Sequence, residues 1–418
     1  DPYIAPTRED ERAAQIVAGN FVGNVLNPPG YNPLAQFGVT GNNVTVAVVD
    51  DGVGIPGDGG FYVTAANTVN GPLRGATAGA QGHGHLQASI IAGTTPFSTL
   101  DPTGYNYGLG IAPNAHIVNI PFLRAGYSGL EADTANDAVT TPGPNGVISN
   151  LSNNSWGAGT NGNAYDALAA QFDGFVRDAS SAASIDPLSI IFSAGNQGTG
   201  GLTRPKVAKN VITVASSENL RPEIDGAANN LEDVSDFSSR GLAADGRVKP
   251  DITAPGQAVS GGRSGPDALF GNIDANHRWS SGTSHAAPQV AGAAALFTQW
   301  WKAGNAGANP SPALVKAALL NGATEMTGST ASAAIPNGAE GWGRVNLRRV
   351  LNTGIATQYI DQTATLQNVG NTSSFVGTVS LATAPIRVTL VWTDPPAVAD
   401  PALVNNLDLE VTVAGNLY

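Results

Sequence analysis

Short, nearly continuous apolar runs alternate with Ala-rich stretches of helical period through the first 350 or so residues. The runs are VTVAVVD (44–50), AHIVNIPF (115–122), GVISNLSNNSWG (146–157), LSIIFSAGN (188–196) and NVITVASS (210–217), and the helical stretches include HLQASIIAG (85–93) and YDALAAQFDGFVRDASS (165–181). Strands that are apolar on both sides, separated by amphipathic stretches, predict a mostly parallel sheet covered on both faces, a doubly wound α/β architecture. The stretch from about Ser284 to Trp301 is apolar nearly all round, which predicts a buried central helix. After Leu351 only strand alternation remains. APIRVTLVWTDPP (384–396) places Ile386, Val388, Leu390 and Trp392 on one face, and NNLDLEVTV (405–413) does the same with Leu407, Leu409, Val411 and Val413.

These shifts divide the chain into an N-terminal extension packed on the main domain (1–39), an α/β domain (40–351) and a smaller all-β, jelly-roll-like domain (352–418). The last shows about four candidate strands, where a jelly roll wants about eight. Either the domain is small or the chain stops partway through it; the latter would leave an exposed strand edge, with a second fragment completing the domain or proteolytic trimming as the two expected explanations.

Composition narrows the function classes. The 418 residues carry a formal net charge of −12, and no Lys/Arg cluster rises above the acidic background, so neither nucleic acid nor an anionic membrane is expected as partner. Without cysteine there is no disulfide framework, thiol nucleophile or zinc–thiolate site. No apolar run is long enough to span a bilayer. Low charge, abundant Gly and Asn, and a chain that opens on Asp1 predict a processed, secreted protein.

The chemistry concentrates in SSGTSHAAPQVAGAAALF (280–297). A serine at a helix N-terminus gains from the unpaired N–H groups and the positive dipole end, which stabilise a developing oxyanion. Ser284 has that place, with Ser280, Ser281 and Thr283 expected to cap or turn the helix, and Pro288 expected within its first turn. Such a serine needs a base, and the base an orienting carboxylate. His83 stands just before a helix whose Leu86, Ile90 and Ile91 face inward, and Asp50 ends an apolar strand, where parallel sheets present functional groups. His285 is a poor base for Ser284, because adjacent helical residues point about 100° apart. A metal site at His83 and His85 lacks an acidic residue to complete it. Gly52, Gly54 and Gly57 have dinucleotide-binding spacing, but no helical run follows and they read as a loop. The G-x-S-x-G elbow of α/β-hydrolases does not occur.

The segments VAVVDDGV, GHGHLQASIIAG and GTSHAAPQVAGAAAL resemble, in order, the Asp, His and Ser motifs of the subtilisin-like serine peptidases. The resemblance continues through YGLGIAPNAHIVNIPF, NNSWG, IIFSAGNQG, DFSSRG, KPDITAPG and GWGRVNL, covering roughly residues 40–350. It implies a secreted serine endopeptidase acting on polypeptides through an acyl-enzyme on Ser284. His83 would be the general base and then acid, Asp50 would orient it, and Asn196 would donate to the oxyanion. It further implies substrate binding along Ser155, Trp156 and Gly157 and against Ser193, Ala194 and Gly195. Two departures stand out. His-Gly-His-Leu (83–86) replaces the usual His-Gly-Thr-His, which leaves His83 and His85 as alternatives by eye, with the flanking Gly82 and IIAG favouring His83. His285 stands where the family most often has Met. The resemblance implies no cofactor for the chemistry and structural calcium without identifiable ligands. The tail is similar to the C-terminal β domain of the larger alkaline subtilases.

Overall fold

The computed structural model describes residues 9–54, 67–79, 82–264, 271–331, 334–351, 357–362, 366–379 and 385–418. Its centre is a seven-stranded sheet of β1 (Thr45–Val49), β2 (Thr68–Asn70), β3 (His116–Ile120), β4 (Leu151–Asn154), β5 (Ser189–Ser193), β6 (Ile212–Ser217) and β7 (Ile252–Pro255), in the order β7-β6-β5-β4-β1-β3-β2. Every pairing within it is parallel. Successive residues of β1 serve opposite faces. Val46 and Val48 join a core formed with Ile117, Leu151, Ile191 and Val214, while Ala47 and Val49 join one formed with Val118, Ile120, Ile190 and Phe192. Burial on both faces is why these strands read as continuous apolar runs.

Among the described residues six longer helices flank the sheet: α1 (Glu11–Ala18), α2 (His83–Ala92), α3 (Glu131–Thr140), α4 (Ala167–Arg177), α5 (Thr283–Gly304) and α6 (Pro312–Gly322). α5 is buried on every side from Thr283 to Thr298 apart from Ser284, as its all-round apolar pattern requires. α3 and α4 cover the other face through Ala135, Ala138, Val139, Ala169, Phe172 and Val176. α1 is held by charge as well as packing. Asp10 accepts from the Ala13 N–H at its start and pairs with buried Arg221 at 3.0 Å, and Arg12 pairs with Asp101 at 2.7 Å.

Pro288 does not fall in the first turn. α5 begins at Thr283, so the missing N–H of Pro288 leaves the carbonyl of Ser284 without its helical donor. The hydroxyl of Ser155 donates to that carbonyl instead, at 2.8 Å. Nor do the serines cap the helix. Gly282 occupies the cap position, Ser281 Oγ accepts from the Ala258 N–H at 2.9 Å, and Asn196 Oδ1 accepts from the Thr283 N–H at 2.9 Å.

In the C-terminal stretch only part of the expected β domain falls among the described residues. Among the described residues after Leu351, the only strands are Thr412–Val413 and Asn416–Leu417, paired with each other. Ile386 and Val388 are each 48% exposed. Alternating apolar residues make a strand only where a neighbour takes up its N–H and C=O groups, and 385–397 forms no ladder with another described segment. The stretch is nonetheless anchored. Buried Asp394 pairs with Lys209 at 2.6 Å and accepts from the Val404 and Asn405 N–H groups. Lys209 also donates to the Ala402 carbonyl at 2.7 Å.

Candidate active site

Three neighbouring strands, β5, β4 and β1, deliver their carboxyl ends to one place. In open parallel sheets such ends form the functional crevice where the chain order reverses, and here the reversal lies at β1, with β3 on one side and β4 on the other. Asp50 follows β1, Ser155 follows β4 and Ala194 follows β5. The N-termini of α2 and α5 bring in His83 and Ser284.

The backbone of Asp50 is clamped by the chain after β3, its N–H donating to Ile120 O and its carbonyl accepting from the Leu123 N–H. The side chain is fully buried, and its Oδ1 lies 2.7 Å from His83 Nδ1. An imidazole whose Nδ1–H donates to a carboxylate presents Nε2 as the acceptor. The structure thus joins Asp50 to His83, whose side chain is 26% exposed, while His85 is fully buried. Close approach of the two segments depends on Gly84, where a Cβ would lie 2.8 Å from both Asp50 Cβ and the Gly52 carbonyl.

Asp51 is a residue that the sequence reading passed over. Its Oδ1 accepts from the Gly84 N–H at 2.7 Å and its Oδ2 from the His83 N–H at 3.3 Å, so it fixes the helix turn that carries the imidazole. Burial, and then the charge of Asp50, pushes its carboxyl up to about 6. The doubled acid in VVDDGV was the available signal.

Ser284 Oγ donates to the Ser155 carbonyl at 3.1 Å, reciprocating the bond from Ser155 Oγ to the Ser284 carbonyl. Asn196 is exposed, and its Oδ1 is occupied by the N–H and hydroxyl of Thr283, both at 2.9 Å. That leaves Nδ2 as a fixed donor. Asn196 Nδ2 and Ser284 N lie 3.3 and 3.7 Å from the point that a Cβ on Gly282 would occupy, so the glycine keeps the space between two donors open. His285 turns the other way, toward Gln87 of α2, with its ring 5.8 Å from that of His83. Burial, and then the neighbouring His83, holds its pKa well below the ordinary value, which favours a neutral ring.

The expected substrate-contact segments flank this centre unequally. Gly157 is exposed, and the chain after it, Ala158–Thr160, pairs with Thr203–Arg204. Trp156 instead packs its ring against Phe122, Phe172 and Phe192 at centroid distances of 5.0, 6.0 and 5.2 Å. Ser193, Ala194 and Gly195 are buried, and Gly195 N–H donates to Thr283 Oγ1 at 3.0 Å. Gly52 and Gly54 lie in loop, and Gly57 is outside the described residues. Among the described residues no three His, Asp or Glu side chains gather as a metal centre.

The profile of the Subtilase family matches residues 41–343, a stretch that contains every residue of this centre. The chain belongs to the subtilase family. Relatives of this subtilase include the serine protease AprX of Bacillus subtilis, 31% identical over 300 residues that cover 68% of this chain and 62% of AprX. Another is the serine protease/ABC transporter B family protein tagA of Dictyostelium discoideum, 33% identical over 200 residues, 41% of this chain and 11% of tagA. The matches therefore span less than two thirds of either relative. A solved cold-adapted subtilisin-like serine proteinase superposes with a TM-score of 0.53 at 21% identity, covering 79% of this chain and 97% of its own, a likeness of fold. Among the described residues no helix of the subtilase is long and apolar enough to cross a membrane.

Proposed function

We propose that this subtilase is a secreted serine endopeptidase that cleaves polypeptides through an acyl-enzyme on Ser284. The observation that carries the reading is the 2.7 Å bond between His83 Nδ1 and buried Asp50, at the mouth of a crevice that also holds the start of α5. In the reaction Ser284 Oγ leaves the Ser155 carbonyl and attacks the scissile carbonyl carbon, while His83 Nε2 takes its proton. Asp50 stabilises the imidazolium that forms and fixes which nitrogen faces the serine. The oxyanion enters the space kept open by Gly282, where Asn196 Nδ2 and the Ser284 N–H donate to it; one such donor contributes about 3 kcal/mol to the transition state. His83 then passes its proton to the leaving amine, and a water deprotonated by His83 releases the acyl group. A neutral His285 adds no competing positive charge beside that imidazolium.

Gly157 offers main-chain groups at the cleft, whereas the Trp156 ring is engaged in packing. Backbone pairing of this kind suits extended chains with little sequence demand. Wild type and Ser284→Ala are to be compared on one polypeptide in unfolded and folded forms. The expected result is internal cleavage of the unfolded form by wild type alone. Cleavage that survives in Ser284→Ala, or none by wild type, overturns the reading.

A further inference from the structure

Residues 394–402 close hydrogen bonds that the main domain leaves open. Asn210 is buried, and its side chain exchanges bonds with the backbone of Asp394: Nδ2 donates to the Asp394 carbonyl at 2.8 Å and Oδ1 accepts from the Asp394 N–H at 2.9 Å. Tyr165, just before α4, is buried too. Its N–H donates to Asp400 Oδ2 at 2.9 Å, and its hydroxyl accepts from the Ala397 N–H at 3.2 Å. Asp245 Oδ2 accepts from the Ala402 N–H at 3.0 Å. A buried N–H or amide without a partner is destabilising, so this part of the tail completes the hydrogen bonding of the domain it touches.

These contacts converge on one structure beside the cleft, the ladder of Ala158–Thr160 with Thr203–Arg204 that continues from exposed Gly157. Asp166, next to Tyr165, caps α4 by accepting from the Ala169 N–H at 3.0 Å, accepts from Asn161 Nδ2 at 3.2 Å and pairs with Arg204 of the ladder. Behind the other strand, Asp245 accepts from Arg247 Nε at 2.7 Å, and Arg247 donates to the Val207 carbonyl at 2.9 Å. The tail thus reaches both strands of the ladder through short relays. Asp400 serves the first of them and is a poor anchor in itself. Its Oδ1 is buried with no hydrogen-bond partner among the described residues, whereas both oxygens of Asp394 are taken up.

We propose that Asp400 is a positioning residue for substrate binding. Through the Tyr165 N–H it fixes the 161–166 loop, and through Asp166 and Arg204 it fixes the ladder, so that Gly157 presents its main-chain groups where an extended polypeptide pairs with them. The inference rests on the proposed endopeptidase reading. Asp400 bonds to none of Ser284, His83 and Asp50, so it acts on the binding of substrate and leaves the chemical step alone. Such coupling is reciprocal: an occupied cleft tightens the hold of the tail.

Wild type, Asp400→Ala and Asp400→Asn are to be compared as full chains on one peptide substrate, each normalised to the Ser284 that reacts with a fluorophosphonate. Asp400→Ala is expected to raise KM by about 3- to 10-fold, in the range open to a residue coupled to a site it does not touch, with kcat within about twofold. Asp400→Asn keeps an oxygen acceptor for the Tyr165 N–H and is expected to restore KM. A residue that only stabilised the fold would lower the reactive fraction and leave KM alone. Should Asp400→Ala fail to fold, hydrogen exchange of wild type decides: filling the cleft with a peptide aldehyde is expected to slow exchange at 397–402. An unchanged KM in folded Asp400→Ala, a KM in Asp400→Asn as high as in Asp400→Ala, or unchanged exchange overturns the inference and leaves the endopeptidase reading standing. Wild type that cleaves no peptide overturns both.

Discussion

Asp50 and Asp51 are neighbours in the chain with separate tasks. Asp50 meets the ring of His83, and Asp51 meets the backbone N–H groups of His83 and Gly84. While ionised, Asp51 also places a second anion near the imidazole and so favours its protonated form. Asp51→Asn keeps an oxygen acceptor for the helix turn and removes that anion. The acid limb of the kcat/KM profile is expected to move to lower pH; an unmoved or raised limb contradicts this account. Asp50 was legible because it ends an apolar strand. Asp51 was not, since its role depends on a segment more than thirty residues away folding against it.

α5 was the most legible element, because an apolar pattern on all sides over so many residues fits only a buried helix. Its link to the chain after β4 was hidden. Ser155 and Ser284 are separated by 129 positions and exchange bonds through one hydroxyl and one carbonyl each. No local pattern announces such a pair, although Pro288 marks a helical carbonyl in need of another donor. Ser155→Ala is expected to destabilise the fold by about 1–3 kcal/mol by leaving the Ser284 carbonyl unpaired. In a Pro288→Ala background the helix regains the N–H for that carbonyl, and the cost of Ser155→Ala is expected to shrink. Denaturant unfolding of the four proteins in the cycle checks this, and equal costs in both backgrounds contradict it. Trp156 shows the opposite limit: a sequence places it beside the cleft, but only the packed ring cluster shows that its side chain faces inward.

At the scale of the molecule, the sheet and its two helical layers followed from periodicity, because burial on both faces leaves a signature in every strand. The C-terminal alternation was equally clear, but a strand needs a neighbouring strand, and 385–397 forms no ladder with a described segment. Buried charge was the other feature that pattern could not show. Lys206 and Lys249 are each pushed from 10.5 down to about 7, principally by burial. Between those values the unfolded chain binds more protons than the folded one, so these groups make stability rise from pH 7 toward pH 10. Wild type minus Lys206→Met isolates one contribution. That difference in unfolding free energy is expected to become more favourable to wild type as pH rises through this window, and a difference that falls contradicts the burial of an uncompensated amine.

In the proposed mechanism Ser284 is an activated nucleophile served by His83 and Asp50. This role is tested most directly by reaction with a serine-directed fluorophosphonate followed by mass mapping of the modified peptide. The account predicts a single adduct on Ser284, abolished in Ser284→Ala and strongly slowed in His83→Ala. An adduct on another serine, or an unlabelled Ser284 in folded wild-type protein, would contradict it.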